Sequence, residues 1–222
     1  MILLIGALLF FRAPDEFDIL NGWNFFKSFS IFHILWVIWV IDMVCQLIPI
    51  KKHIPLGSQK LFRQHFKPIK EKINYPALKN HILTTTKAAG KVMILWVALV
   101  AFIGMLYFCN IIDKKILLLI SIVFYVCDLI CVLIWCPFRL ILKNRCCTTC
   151  RIFNWDHMMM FTPLLPVVGF FSVSLVVVSL IVLFFWEYRV KKHPEFFWEG
   201  TNKALRCSAC TDKLCIQYCG RK

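Results

Sequence analysis

The sequence predicts an all-α integral membrane protein of about four transmembrane helices, with short cysteine-rich extramembrane segments. Three observations carry that prediction. Of 222 residues, 60% are hydrophobic and 17% are charged, against roughly 45–50% and about 25% in soluble domains. The apolar residues are gathered in long uninterrupted runs and do not recur at the period of an amphipathic helix. Within those runs the only formally charged side chains at neutral pH are Asp42 and Asp128. No water-soluble core has this pattern, and in lipid a spanning helix satisfies its own backbone hydrogen bonds.

Taken in order, residues 1–28 form an apolar N-terminal segment and interfacial lead-in. The run 1–11 has about half of the ~20 residues that a spanning helix needs. It lacks the charged start and small-residue cleavage site of a secretory signal, so it is read as retained. Four runs of sufficient length follow, at 29–48, 92–110, 116–136 and 164–186, and with their connections they make a four-helix transmembrane domain over 29–186. Trp23, Tyr107, Trp135, Trp186 and Tyr188 sit near the ends of runs, as in an aromatic belt at the membrane surface. The loop 49–91 carries ten Lys/Arg and one acid, Glu71, which marks it as cytoplasmic by the positive-inside rule. Its stretch 58–73 (SQKLFRQHFKPIKEKI) reads as a solvated basic loop, or as a surface helix on an anionic leaflet interrupted at Pro68. No pattern of interleaved aromatics and bases specific to nucleic acid is present, so the expected surroundings are the lipid bilayer and no nucleic acid.

Counting four crossings onward from that loop puts the turn 111–115 outside, the cysteine-rich loop 137–163 inside and the basic cysteine-rich tail 187–222 outside. The tail itself has eight Lys/Arg, so the count distributes the 26 bases 14 to one side and 12 to the other. Count and charge rule therefore conflict. Either the tail is translocated despite its charge, or residues 151–166 (RIFNWDHMMMFTPLLP) form a re-entrant element backed by protein. Four crossings in a multi-pass protein, of the plasma (inner) membrane in a prokaryote, is the expectation retained.

Twelve cysteines is a high count for this length. Cys45 and Cys109 read as small polarisable packing residues. Cys127 and Cys131 are one turn apart on one helical face beside Asp128, a face that suits a soft metal or a path for one. Ionisable groups inside a span are functional candidates by default. The structural alternative for Asp42 and Asp128 is a polar contact between helices, with His33 as one partner. The remaining cysteines form two groups. The first is Cys146, Cys147 and Cys150 within RCCTTCR, with Cys136 upstream. The second is Cys207, Cys210, Cys215 and Cys219, spaced C-x2-C-x4-C-x3-C. Thiolates two residues apart reach one ion from a tight turn, which is why this spacing recurs at zinc and iron–sulfur sites. The middle interval of four departs from a ferredoxin ligand run. In an oxidising compartment the four tail cysteines would instead close as two disulfides. A single centre shared by Cys147/Cys150 and Cys207/Cys210 needs both segments on one side, which the four-crossing count forbids. Beside the first group, Asp156 and His157 read as a local hydrogen-bonded turn, with a further ligand or proton carrier as the alternative.

No phosphate-binding loop, GxSxG elbow, HExxH pair or CxxCH is present, and no internal repeat of the kind transporter halves leave. The function expected is metal binding through cysteine thiolates, with an iron–sulfur electron-transfer component leading and zinc as the other metal. The alternatives are a zinc- or disulfide-braced scaffold or assembly factor, and a soft-metal transporter using Cys127, Asp128 and Cys131. The expected partners are other membrane or redox subunits. No catalytic residue is assigned.

Overall fold

A computed structural model describes residues 14–50, 57–69, 73–138, 142 and 150–206, and among these it is all-helical, without a strand. Five α-helices are formed: α1 (Phe32–Leu47), α2 (Tyr75–Phe108), α3 (Lys114–Leu133), α4 (Asp156–Phe161) and α5 (Phe170–Lys192). Helices α2, α3 and α5 are long and apolar enough to cross a membrane. The first apolar run yields only the 16 residues of α1, about 24 Å at a rise of 1.5 Å per residue, short of the ~30 Å hydrocarbon core. The N-terminal run 1–11 lies outside the described residues.

Helix boundaries differ from the apolar runs where local capping outweighs hydropathy. Helix α2 has 34 residues and begins well inside the basic loop. Asn74 starts it, its side-chain carbonyl accepting from the backbone N–H of Ala77 at 3.1 Å, with Pro76 in the first turn, where a missing N–H costs nothing. At α3 the carboxylate of Asp113 accepts from Ile116 N–H at 2.9 Å. The end of α1 is closed from a distance: Gln59 donates to the carbonyls of Cys45 and Ile48 and accepts from Ile50 N–H. Helix α5 begins at Phe170, six residues after the apolar run starts, because Pro163 and Pro166 interrupt the backbone ladder.

The chain divides into two compact units. The first comprises 14–44, 94–128 and 156–183, around a core of Phe17, Trp39, Met43, Leu117, Phe161 and Phe171. Gly169 is forced here: its neighbour Phe170 donates to Gly22, and a Cβ on Gly169 would lie 2.3 Å from the Leu20 carbonyl oxygen. The second unit comprises the described residues of 45–93, 129–155 and 184–206, around Leu61, Phe62, Leu78, Trp186, Phe196 and Phe197. The stretch 58–73 therefore forms neither a surface helix nor a fully solvated loop where it is described. It makes two short 3-10 turns, Gly57–Leu61 and Arg63–His65, that bury Leu61 and Phe62. Trp186 is 1% exposed and stacks edge-on against Phe62; it belongs to this core and not to an interfacial belt.

One expectation is overturned by the packing of the tail. The four-crossing count set the tail opposite the basic loop, yet residues 194–206 are fastened directly onto 60–67. Lys203 N–H donates to the Lys67 carbonyl at 2.8 Å, and Asn202 bonds Lys67 N–H and the Lys60 carbonyl. Phe66 and Phe196 meet with ring centroids 4.8 Å apart. The segment counted as a loop is itself packed where it is described: residues 150–169 contain no long helix, only α4 flanked by the 3-10 turns Arg151–Asn154 and Thr162–Leu164, and most of their side chains are buried.

Candidate functional site

In the second unit, the end of α5 and the 3-10 turn Arg151–Asn154 meet through a partly buried ion pair. Glu187 is the first residue after the apolar run, and each of its carboxylate oxygens has a partner. Oε2 accepts from Arg151 Nη2 at 2.5 Å, and Oε1 accepts from the Trp155 indole N–H at 2.6 Å. The Arg151 side chain is 10% exposed and that of Glu187 35%. Arg151 directly follows Cys150, so this pair ties the C-terminal flank of the first cysteine group to α5.

The tail is held by one asparagine. Asn202 is 0% exposed. Its Oδ1 accepts from Lys67 and Ala204 N–H, and its Nδ2 donates to the carbonyls of Phe196 and Lys60. Every hydrogen-bonding position of the amide that the local backbone can reach is used, which is what makes a buried asparagine tolerable. Arg189 adds to the fastening: its guanidinium lies over the Phe62 ring at 4.7 Å and donates to the Leu61 carbonyl. Arg206, the last described residue, precedes Cys207. Thus Cys136, Cys150 and the residue before the tail cysteines all belong to the second unit.

Of the eight cysteines expected as ligands, Cys146, Cys147, Cys207, Cys210, Cys215 and Cys219 lie outside the described residues. Cys136 is buried just beyond α3, and Cys150 is partly exposed. On α3, Cys127 is exposed while Asp128 and Cys131 are partly buried. Among the described residues no three His, Cys, Asp or Glu side chains converge so as to hold a metal ion.

The first unit contains a second constellation. His157, 3% exposed, sits at the start of α4 with a carboxylate at each ring nitrogen: Asp156 Oδ1 at 2.6 Å from Nδ1 and Asp42 Oδ2 at 3.2 Å from Nε2. The same Asp156 oxygen accepts from the His157 backbone N–H. Both ring nitrogens are thus within hydrogen-bond reach of a carboxylate, and the imidazole bridges α4 to α1. The Asp156–His157 turn expected from sequence is present, and it reaches a partner on α1 as well. His33, by contrast, is engaged locally, with its ring nitrogens at Ser30 and the Phe25 carbonyl, so it is not the partner of Asp42.

Sequence reading passed over Glu187, Gln59 and Asn202. A glutamate at a helix end followed by bases looks like any interfacial residue. Its link to Arg151, 36 positions earlier, leaves no periodic trace. Comparison of the chain with protein-family models, with curated proteins and with solved structures finds no match.

Proposed function

We propose that this chain is a multi-pass membrane protein whose basic, cysteine-rich end faces the cytoplasm and holds metal through thiolates, with an iron–sulfur centre that passes electrons at the membrane as its leading form. The observation that carries the reading is the fastening of 194–206 onto the basic loop. It puts the flanks of both cysteine groups in one unit and removes the objection that the groups lie on opposite sides.

Charge supports the orientation. The described residues of the second unit include 12 Lys/Arg and 3 acids, against 3 Lys/Arg and 7 acids in the first. Cytoplasmic segments carry the excess of bases, so the second unit is the cytoplasmic one. Thiols there stay reduced, which favours metal ligation over disulfides. Bases flanking the cysteines stabilise thiolates and the net negative charge of a thiolate-ligated centre. The chain's own contribution is then to hold the flanks in place through Asn202 and the Arg151–Glu187 pair.

The test is anaerobic purification in detergent, followed by elemental analysis for iron, zinc, copper and acid-labile sulfide and an absorption spectrum of the same sample. Iron with matching sulfide is expected, and a Cys207→Ser/Cys210→Ser variant should lose part or all of it. Zinc alone, or no metal, overturns the electron-transfer reading and leaves the braced scaffold; copper alone points to the soft-metal carrier.

A further inference from the structure

The N-terminal half of α2 and the C-terminal end of α5 enclose an open cavity of about 730 Å³ in the second unit. Its lining changes character along its length. Ile82 and Leu83 on α2 and Phe184 on α5 form the part nearer the middle of the two helices, while Lys79 stands nearer the N-terminus of α2 and Lys191 nearer the C-terminus of α5. The helices run in opposite senses, so the two lysines share one end of the cavity. Arg151 also lines it.

The Arg151 guanidinium is turned away from the opening: Nη2 is taken by Glu187, and Nε and Nη1 are enclosed by protein. Among the described residues Glu187 is the one acid in the lining, and both its oxygens are already occupied, by Arg151 and Trp155. The cavity thus presents cationic donors at one end and apolar walls at the other.

We propose that this cavity seats one anionic phospholipid, its phosphate toward Lys79 and Lys191 and the upper part of an acyl chain along Ile82, Leu83 and Phe184. An anionic headgroup matches two exposed lysines that have no acid free to pair with them among the described lining residues, and the apolar walls reward a chain that a free anion lacks. The site is separate from the thiolate centre and stands whether or not metal is found.

Native mass spectrometry of the full-length protein in detergent tests it, titrating phosphatidylglycerol or phosphatidylcholine of identical chains. The expected result is a one-to-one phosphatidylglycerol adduct. It should weaken by about tenfold to thirtyfold in Lys79→Gln/Lys191→Gln, and similarly in Leu83→Trp, which fills the apolar end. The first variant changes only exposed side chains and keeps the test valid if the second folds poorly. Equal binding of phosphatidylcholine, or undiminished phosphatidylglycerol binding in the lysine variant, overturns the proposal. Displacement of the lipid by millimolar inorganic phosphate also overturns it, because it would show a site for phosphate that makes no use of the chain.

Discussion

Replacing Glu187 by leucine tests the buried pair that joins α5 to the cysteine-flanking turn. The substitution leaves Arg151, whose side chain is 10% exposed, as a buried cation without a counter-charge. It also strands the Trp155 indole N–H, which now donates at 2.6 Å. Removing one partner of a buried pair costs about 3–5 kcal/mol. Because Glu187 keeps 35% of its side chain exposed, solvent screens the pair and the lower end applies, about 3 kcal/mol. The lost indole bond adds about 1 kcal/mol. The total, about 4 kcal/mol, corresponds to a fall of roughly 10 °C in Tm for a chain of this size. Thermal unfolding in mild detergent, followed by tryptophan fluorescence, reads it. The double variant Glu187→Leu/Arg151→Met removes both charges and should recover more than half of the loss, since the penalty comes mainly from the orphaned cation. A Glu187→Leu protein within about 1 kcal/mol of the parent, or a double variant no better than the single, refutes the argument.

Asn202→Ala should free the tail from the basic loop, because it deletes bonds to Lys60, Lys67, Phe196 and Ala204. A local cost of about 2–4 kcal/mol follows, and trypsin should cleave after Lys203 and Arg206 much faster than in the parent. Gly169→Ala should lower stability by about 1–3 kcal/mol, since its Cβ meets the Leu20 carbonyl oxygen at 2.3 Å; an unchanged Tm would show that the Gly22–Gly169 contact does not form.

What the sequence conveyed well was whatever depends on long-range composition. The all-helical membrane class and three of the four apolar runs follow from charge-free length alone. Start signals such as Asn74 before Pro76 were also in plain view, but the bases of 79–91 disguised the helix they begin. The packed segment 150–169 was not legible. Its helix has six residues, and its buried Asp156, His157 and Asn154 read as loop polarity when no partner is visible. Its apolar half, MMMFTPLLP, is broken by prolines. Asp156–His157 was recognisable as a local turn, while its reach to Asp42, 115 positions away, depends on how α1 and α4 are brought together. The packing of 194–206 on 60–67 was equally hidden, because Asn202 lies 135 positions from Lys67 and 142 from Lys60 and shares no periodic signal with them.

The side of the membrane that the tail occupies decides most directly whether the thiolate centre proposed for it can form. C-terminal fusions to green fluorescent protein and to alkaline phosphatase, expressed in a bacterial inner membrane with a membrane-impermeant protease applied to intact cells, read it directly. A fluorescent first fusion, an inactive second and a tail protected from protease are the predicted results. An active phosphatase with a dark fluorescent fusion would place the tail outside, opposite a cytoplasmic basic loop, and would contradict both the packing of 194–206 on 60–67 and the thiolate centre argued from it.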